Sequence, residues 1–377
     1  MISSSLTLRV QFAHINRIVL MLRSRIGVIW SMIPVIRRQW RLEWPTLALA
    51  IVIYGLWLIL TWFHDALPWP VLVALGGWTL AWHGSLQHEL IHGHPTRHRA
   101  LNRLLGLPPL ALFMPFDRYR SLHLAHHRDD HLTDPREDPE SSYWTPHDWR
   151  SLNPLQRVLA RWMGTLPGRL TIGPFWLTMR FLRDEFGRFR RGEADVRAVW
   201  TPHLPLVGLV LLWLVEICRM SVATYLACFV LPGSALLLLR SFAEHRAAPD
   251  PAHRTAIVED APILGVLFLF NNLHAAHHAR PSLAWYRLPG WYRQQRERLI
   301  ADNDGLVYHG YGEVLRRFLT TRHDEPVHPF DGTRDSSAGI AMPTLPFRFA
   351  RAPAPAPAVQ ARVHGAGAQV RQDRKSV

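Results

Sequence analysis

The chain alternates between long apolar blocks and arginine-rich polar stretches, and the alternation predicts its elements. Residues 44–63 form twenty consecutive positions without a charge, enough at about 1.5 Å per residue to cross a hydrocarbon core of ~30 Å. The connection His64-Asp65-Ala66-Leu67-Pro68 contains no Lys or Arg and leads into a second apolar block, residues 69–86. Residues 198–217 and 222–239 repeat the arrangement around a turn at Arg219. Two helical hairpins, about four transmembrane helices in all, are therefore expected.

The intervening stretches have a different pattern. Residues 87–197 are mostly polar, apart from an apolar segment at 104–116 that holds Pro108, Pro109 and Pro115. That segment is too short to cross a bilayer, and an interfacial or re-entrant path is expected. Residues 261–270 are a second short apolar stretch of the same kind. Residues 1–43 carry seven arginines against one acid, Glu43, which suits a basic segment lying on the membrane surface. From residue 320 the chain turns Pro-, Ala- and Arg-rich, with an Ala-Pro repeat at 352–357, and is expected to be a disordered tail. The expected organisation is a surface segment at 1–43, a membrane-embedded domain at 44–319 and a tail at 320–377. The fold class is an all-α polytopic membrane protein whose helical cap carries the chemistry.

Charge sharpens this map. The net charge of +14 comes from basic residues that flank apolar blocks and do not gather on one amphipathic face, so they read as membrane-flanking charge, not as a nucleic-acid surface. Arginine is concentrated in the N-terminal segment, the central loop and the C-terminal third. By the positive-inside rule, both termini and the motifs described next are expected in the cytoplasm, with a prokaryotic inner membrane as the setting. The two cysteines, Cys218 and Cys228, lie in or beside apolar runs without a CxxC and read as core residues.

The chemistry lies in histidine. His88-Glu89-Leu90-Ile91-His92 spaces two imidazoles at i, i+4, and His123-Leu124-Ala125-His126-His127 and His274-Ala275-Ala276-His277-His278 each place three at i, i+3 and i+4. Such spacings share one helical face. With 22 histidines in 377 residues, chance gives an HxxHH about 0.07 times per chain, so two copies are a signal. Neutral imidazole suits iron, zinc, copper or nickel, and eight such ligands exceed what one zinc needs, which favours two metals. The first motif also reads as HExxH, a zinc protease signature with Glu89 as base, but that reading leaves both triads unexplained. A histidine-rich metal carrier would place its ligands along a transmembrane path, whereas here nearly all lie outside the spans.

With these three boxes in order, and hairpins separating them, the chain from about residue 44 to 311 resembles the integral-membrane fatty acid desaturase and hydroxylase superfamily. The resemblance implies a non-haem centre of two Fe ions that uses O₂ to abstract hydrogen from an unactivated C–H bond, with His88, His92, His123, His126, His127, His274, His277 and His278 as ligands. It implies a ninth ligand after the last span, where this chain has His245. Some members carry an Asn one helical turn earlier, and Ser241 stands there in this chain. Fatty acid desaturation, acyl-lipid or acyl-CoA, is the activity expected; hydroxylation of an alkane, acyl or carotenoid substrate is the alternative on the same ligand set.

Several side chains are expected around the metals. Glu89, Asp129, Asp130, Ser241 and Glu244 are candidates to orient ligands, and the acids Asp134, Glu137, Asp138 and Glu140 follow in the same run. His94 and His98 extend the first box, but Pro95 interrupts the helix. His83 sits inside the second span, and His131, His147, His203, His253 and His309 read as surface or interface residues. Trp82, Phe113, Phe116 and Trp285 are candidate walls for a lipid or hydrocarbon substrate. The chain has neither a rubredoxin-type CxxC nor a nucleotide glycine fingerprint, so an external ferredoxin-, rubredoxin- or cytochrome-like donor is expected, and no nucleic acid.

Overall fold

The computed structural model describes residues 42–330. The expected surface segment at 1–43, apart from its last two residues, and the tail beyond 330 lie outside the described residues. Helix α1 (Trp44–Trp62) starts with a proline in its first turn and folds back through a 3₁₀ turn at His64–Ala66 into α2 (Trp69–Ile91). Proline is tolerated there because first-turn N–H groups have no intrahelical partner. After α3 (Arg99–Gly106) and α4 (Phe116–His126) come three short helices, Pro146–Ser151, Pro154–Met163 and Leu166–Thr171. The long α5 (Gly173–Arg190) leads into the second hairpin.

That hairpin rises through α6 (Ala194–Leu212), continues as a π turn at Trp213–Ile217, reverses at Arg219 with φ of 59°, and returns through Val222–Val230 into α7 (Leu231–Phe242). The histidine-bearing end is closed by α8 (Pro262–Leu267), α9 (His274–Ala279), α10 (Leu288–Asp302) and α11 (Tyr311–Phe318). One short parallel pair, Ile257–Val258 with Val307–Tyr308, ties the strand before α8 to the one before α11.

Among the described residues, three helical stretches are long and apolar enough to cross a membrane: Trp44–Trp62, Ala194–Ile217 and Val222–Phe242. The fourth expected span, α2, has the length but not the composition. Thr79, His83, Ser85, Gln87, His88 and Glu89 fill its second half, and all are buried. It is the central helix, with α1 on one side and α7 on the other. Lipid tails are as apolar as leucine, so close packing and polar contacts hold such helices together. Glycines supply the closeness: a Cβ on Gly76 would lie 2.7 Å from the Cys228 carbonyl oxygen, and one on Gly233 would lie 2.6 Å from Leu80 Cβ. Polar contacts add the rest. Trp57 Nε1 donates to the Tyr225 hydroxyl (2.9 Å), which donates to the Leu110 carbonyl (2.7 Å), and Trp213 Nε1 donates to Thr61 Oγ1 (3.0 Å). Cys218 and Cys228 belong to this same core.

The apolar segment at 104–116 follows an irregular path after α3, with Leu112 at φ of 68°. Its carbonyls are satisfied by protein: Gln87 Nε2 donates to Gly106 (2.8 Å) and the His203 ring to Leu112 (2.8 Å). Irregular backbone among apolar helices is tolerable when it is buried in this way. Residues 320–330, placed in the tail by composition, make contacts with the rest of the described chain. Residues 144 and 327 form a bridge, the His328 ring reaches Thr133 Oγ1 at 3.3 Å, and His323 packs on Phe242 at 5.1 Å.

Candidate metal centre

Two of the histidine boxes end helices and the third forms most of one. His88 lies in the last turn of α2 and His92 at its C-cap; His123 and His126 end α4 with His127 at the cap; His274, His277 and His278 all lie on α9. His245 follows α7 by three residues, and its backbone pairs with Thr255. The four elements bring all nine expected histidines together as two groups. His88, His92, His123, His127 and His277 form one; His126, His245, His274 and His278 form the other, and within each group the ligand nitrogens lie within 4.8 Å of one another.

The partition follows from helical geometry. At about 100° per residue, positions i and i+4 are separated by ~40° and i+3 falls ~60° to the other side. The i, i+4 pairs accordingly stay together (88 with 92, 123 with 127, 274 with 278), while His126 and His277 cross to the neighbouring group. The triads are thus shared between groups and are not equivalent halves of one site. The groups abut, with the His127 and His278 rings stacked at 4.4 Å.

Tautomers are set by what lies behind the rings. His126 Nδ1 is 2.9 Å from Asp138 Oδ1, His123 Nδ1 3.0 Å from Glu140 Oε1, His245 Nδ1 3.2 Å from the Arg254 carbonyl, and His274 Nδ1 3.1 Å from Asn271 Oδ1. These oxygens only accept, so each Nδ1 carries the hydrogen, and in the neutral ring Nε2 presents a bare lone pair. Yet Nε2 atoms face one another: His126 to His245 at 3.0 Å, His245 to His274 at 2.9 Å, His92 to His123 at 2.9 Å, His123 to His127 at 3.0 Å and His127 to His277 at 3.0 Å. His88 Nε2 is buried without a hydrogen-bond partner. Lone pairs converging at such distances repel unless a cation lies between them, so the donor set fits two metal ions.

Electrostatics agree with that donor role. Burial holds His245, His274 and His277 well below the ordinary imidazole range and His92 at about 2, so these rings are neutral and ready to ligate. His126 is the exception, raised to about 9 because Asp138 and Glu140 outweigh the effect of burial. Partial burial alone would raise Glu140, but His126 and His123 hold it low; Glu244, which is buried, rises to about 7 despite Arg240.

The surrounding candidates divide. Glu244 Oε1 lies 3.3 Å from His274 Nδ1 and 2.8 Å from Arg240 Nε. The Glu89 carboxylate instead accepts the Trp285 backbone N–H at 3.2 Å, so it is engaged with the chain and not poised as a protease base. Ser241 bonds within its own helix, to the Leu238 carbonyl (3.4 Å). Of the two favoured acids of the central run, Asp130 is exposed on a 3₁₀ turn and the Asp129 side chain lies outside the described residues; from the same run, Asp138 and Glu140 are the carboxylates that meet the grouped histidines His126 and His123. They lie eight and ten positions beyond Asp130, past the end of the 3₁₀ turn, so helical spacing from the box could not find them. Asn271 was missed for a related reason, since its side chain turns back onto His274 from the residue three before it.

The other histidines stay apart. His94 pairs with Glu43 at 2.8 Å, His83 packs edge-on against Tyr54, His131 pairs with Glu137 at 2.6 Å, and His98, His147, His203, His253 and His309 belong to neither group. Among the candidate walls, Trp82, Phe116 and Trp285 share one apolar cluster with Leu86 and Leu90 of α2, whereas Phe113 packs with the core between the hairpins.

Comparison with known proteins agrees with this geometry. Residues 65–312 match the fatty acid desaturase family, a range that includes all nine histidines. A β-carotene ketolase of Paracoccus sp. (strain N81106 / MBIC 01143) is 26% identical over 250 residues, covering 60% of this chain and 82% of the ketolase. The chain therefore belongs to the fatty acid desaturase family and is a membrane oxidoreductase of the desaturase and hydroxylase type.

Proposed function

We propose that the protein oxidises an unactivated C–H bond in a membrane-resident chain, with desaturation of a fatty acyl group, acyl-lipid or acyl-CoA, as the leading reaction. The paired histidine groups carry this reading. Two Fe ions, as the family implies, would supply O₂ activation and hydrogen abstraction when bound, the first held by His88, His92, His123, His127 and His277 and the second by His126, His245, His274 and His278. The protein's own work is positional. Asp138, Glu140 and Asn271 fix imidazole orientation from behind. The cluster of Trp82, Phe116 and Trp285, packed on α2 with Leu86 and Leu90, offers an apolar wall against which a hydrocarbon can lie while water is excluded.

A second reading has one specific support. The relative whose name specifies its reaction is a carotenoid ketolase, so oxygenation of a carotenoid or other hydrocarbon is the alternative on the same ligands. For topology we adopt the arginine distribution, which favours a cytoplasmic location for the histidine groups and both termini in a prokaryotic inner membrane. Electrons would come from a separate ferredoxin-, rubredoxin- or cytochrome-like carrier.

Profiling lipids and carotenoids in a carotenoid-producing bacterial host tests this reading, comparing wild type with His126→Ala and co-expressing a ferredoxin and its reductase. A new double bond in acyl chains, absent with the variant, is expected. New hydroxyl or keto products would replace desaturation by the second reading. Unchanged profiles across acyl lipids, alkanes and carotenoids would sink both.

A further inference from the structure

Helix α5 is turned inside out. Its charged residues Arg180, Glu185 and Arg188 are buried, while Phe175, Met179, Phe186 and Phe189 are exposed, at 63%, 49%, 62% and 50%. Spacings of 4, 7 and 3 confine these four to an arc of about 80° on a helix of 3.6 residues per turn. A helix in water buries such a stripe, so this one faces something apolar.

The buried charges explain why the helix holds this orientation. Arg118 on α4 reaches Glu185 at 3.1 Å and Asp195 at 3.0 Å, and Arg188 reaches Glu185 at 3.0 Å and Glu193 at 2.7 Å. Trp200 Nε1 adds a bond to Glu185 at 2.8 Å. This network fixes the polar face inward and leaves the aromatic face no choice but outward.

The occupant is indicated by continuity and charge. α5 packs on α6 and α7, the helices of the second hairpin, and three residues separate its end from the start of α6. α6 exposes Leu204, Leu209 and Leu212 as a lipid-facing surface. Arg183 and Arg190, both exposed, lie on one flank of the stripe, and Arg197 sits over the Phe189 ring at 5.8 Å on the other. An apolar stripe bordered by arginines on a helix adjoining a span is the pattern of an in-plane interfacial helix.

We propose that α5 lies in the plane of the membrane surface, with Phe175, Met179, Phe186 and Phe189 among the acyl chains and Arg183, Arg190 and Arg197 at the phosphates. Because Arg118 joins α5 to α4 one turn and a half before His123, this contact anchors the helix that carries the second histidine box at the bilayer surface.

Nitroxide accessibility in the full chain tests the proposal. Phe186→Cys, Met179→Cys and Arg183→Cys are each labelled and reconstituted in phosphatidylethanolamine–phosphatidylglycerol vesicles; Cys218 and Cys228 are buried, and the unsubstituted chain gives their background. Labels at 179 and 186 should relax more with dissolved oxygen than with a water-soluble nickel chelate, and the label at 183 should show the reverse. Relaxation by the chelate at 179 and 186 would mean that the stripe faces water. Shielding there from both reagents would mean a protein neighbour, such as a second copy. Either result overturns the proposal.

Discussion

The two histidine groups draw on the same boxes and are held in different ways. In the four-histidine group, three rings have their Nδ1 atoms fixed from behind: His126 by Asp138, whose side chain is 2% exposed, His245 by the Arg254 carbonyl and His274 by Asn271. In the five-histidine group the carboxylate behind His123 is Glu140, 27% exposed, while ring-against-ring packing is common to both groups, at 4.5–4.8 Å around His88 and 4.7 Å between His245 and its neighbours His126 and His274. The difference suggests a division of labour. The group with fewer donors relies on rigid backing, and the group with more donors can tolerate looser backing.

That contrast can be broken most sharply by removing ligands. His245→Ala leaves three donors in its group and should reduce bound iron from about two per chain to about one while abolishing oxidation. His92→Ala leaves four donors in the other group, so it should retain both ions and lose activity only in part. Equal metal loss in the two variants, read by elemental analysis, would erase the distinction.

Backing residues should rank in the same way. Asp138→Asn should cost about 100-fold in activity or metal affinity and Glu140→Gln about 10-fold, the two ends of the range typical of groups that orient metal ligands. A larger effect at Glu140 would reverse the assignment of the rigid group. Gly233→Val acts on the scaffold, not the site. It forces a methyl against Leu80 and should destabilise the detergent-solubilised protein by about 1–3 kcal/mol, seen as a lower denaturation midpoint with metal still bound. Asp130→Ala should change neither activity nor stability beyond about 0.5 kcal/mol, because its carboxylate is exposed.

What the sequence disclosed and what it withheld follow from range. Apolar runs marked both hairpins, and i, i+3 and i, i+4 spacings marked eight histidines, because both are local periodicities. His245 came only by resemblance, since a lone histidine after a helix has no spacing to read. The split of each triad between two groups needed four elements in three dimensions. α2 was read as a span by its apolar start, although its polar second half is buried among helices and not among lipids. Asp138 and Glu140 lay in the right acidic run, but loop geometry alone decided which of its members turned inward. The aromatic stripe of α5 was hidden by the arginines between its members, which gave the whole stretch a polar average.

The central claim is that nine imidazoles hold two cations side by side. The most direct test is metal analysis with iron-57 Mössbauer spectroscopy on the chain purified in detergent from iron-supplemented cells. The account predicts about two irons per chain in nitrogen-rich, non-haem environments, falling to about one in His245→Ala. A single zinc per chain with no iron would contradict it.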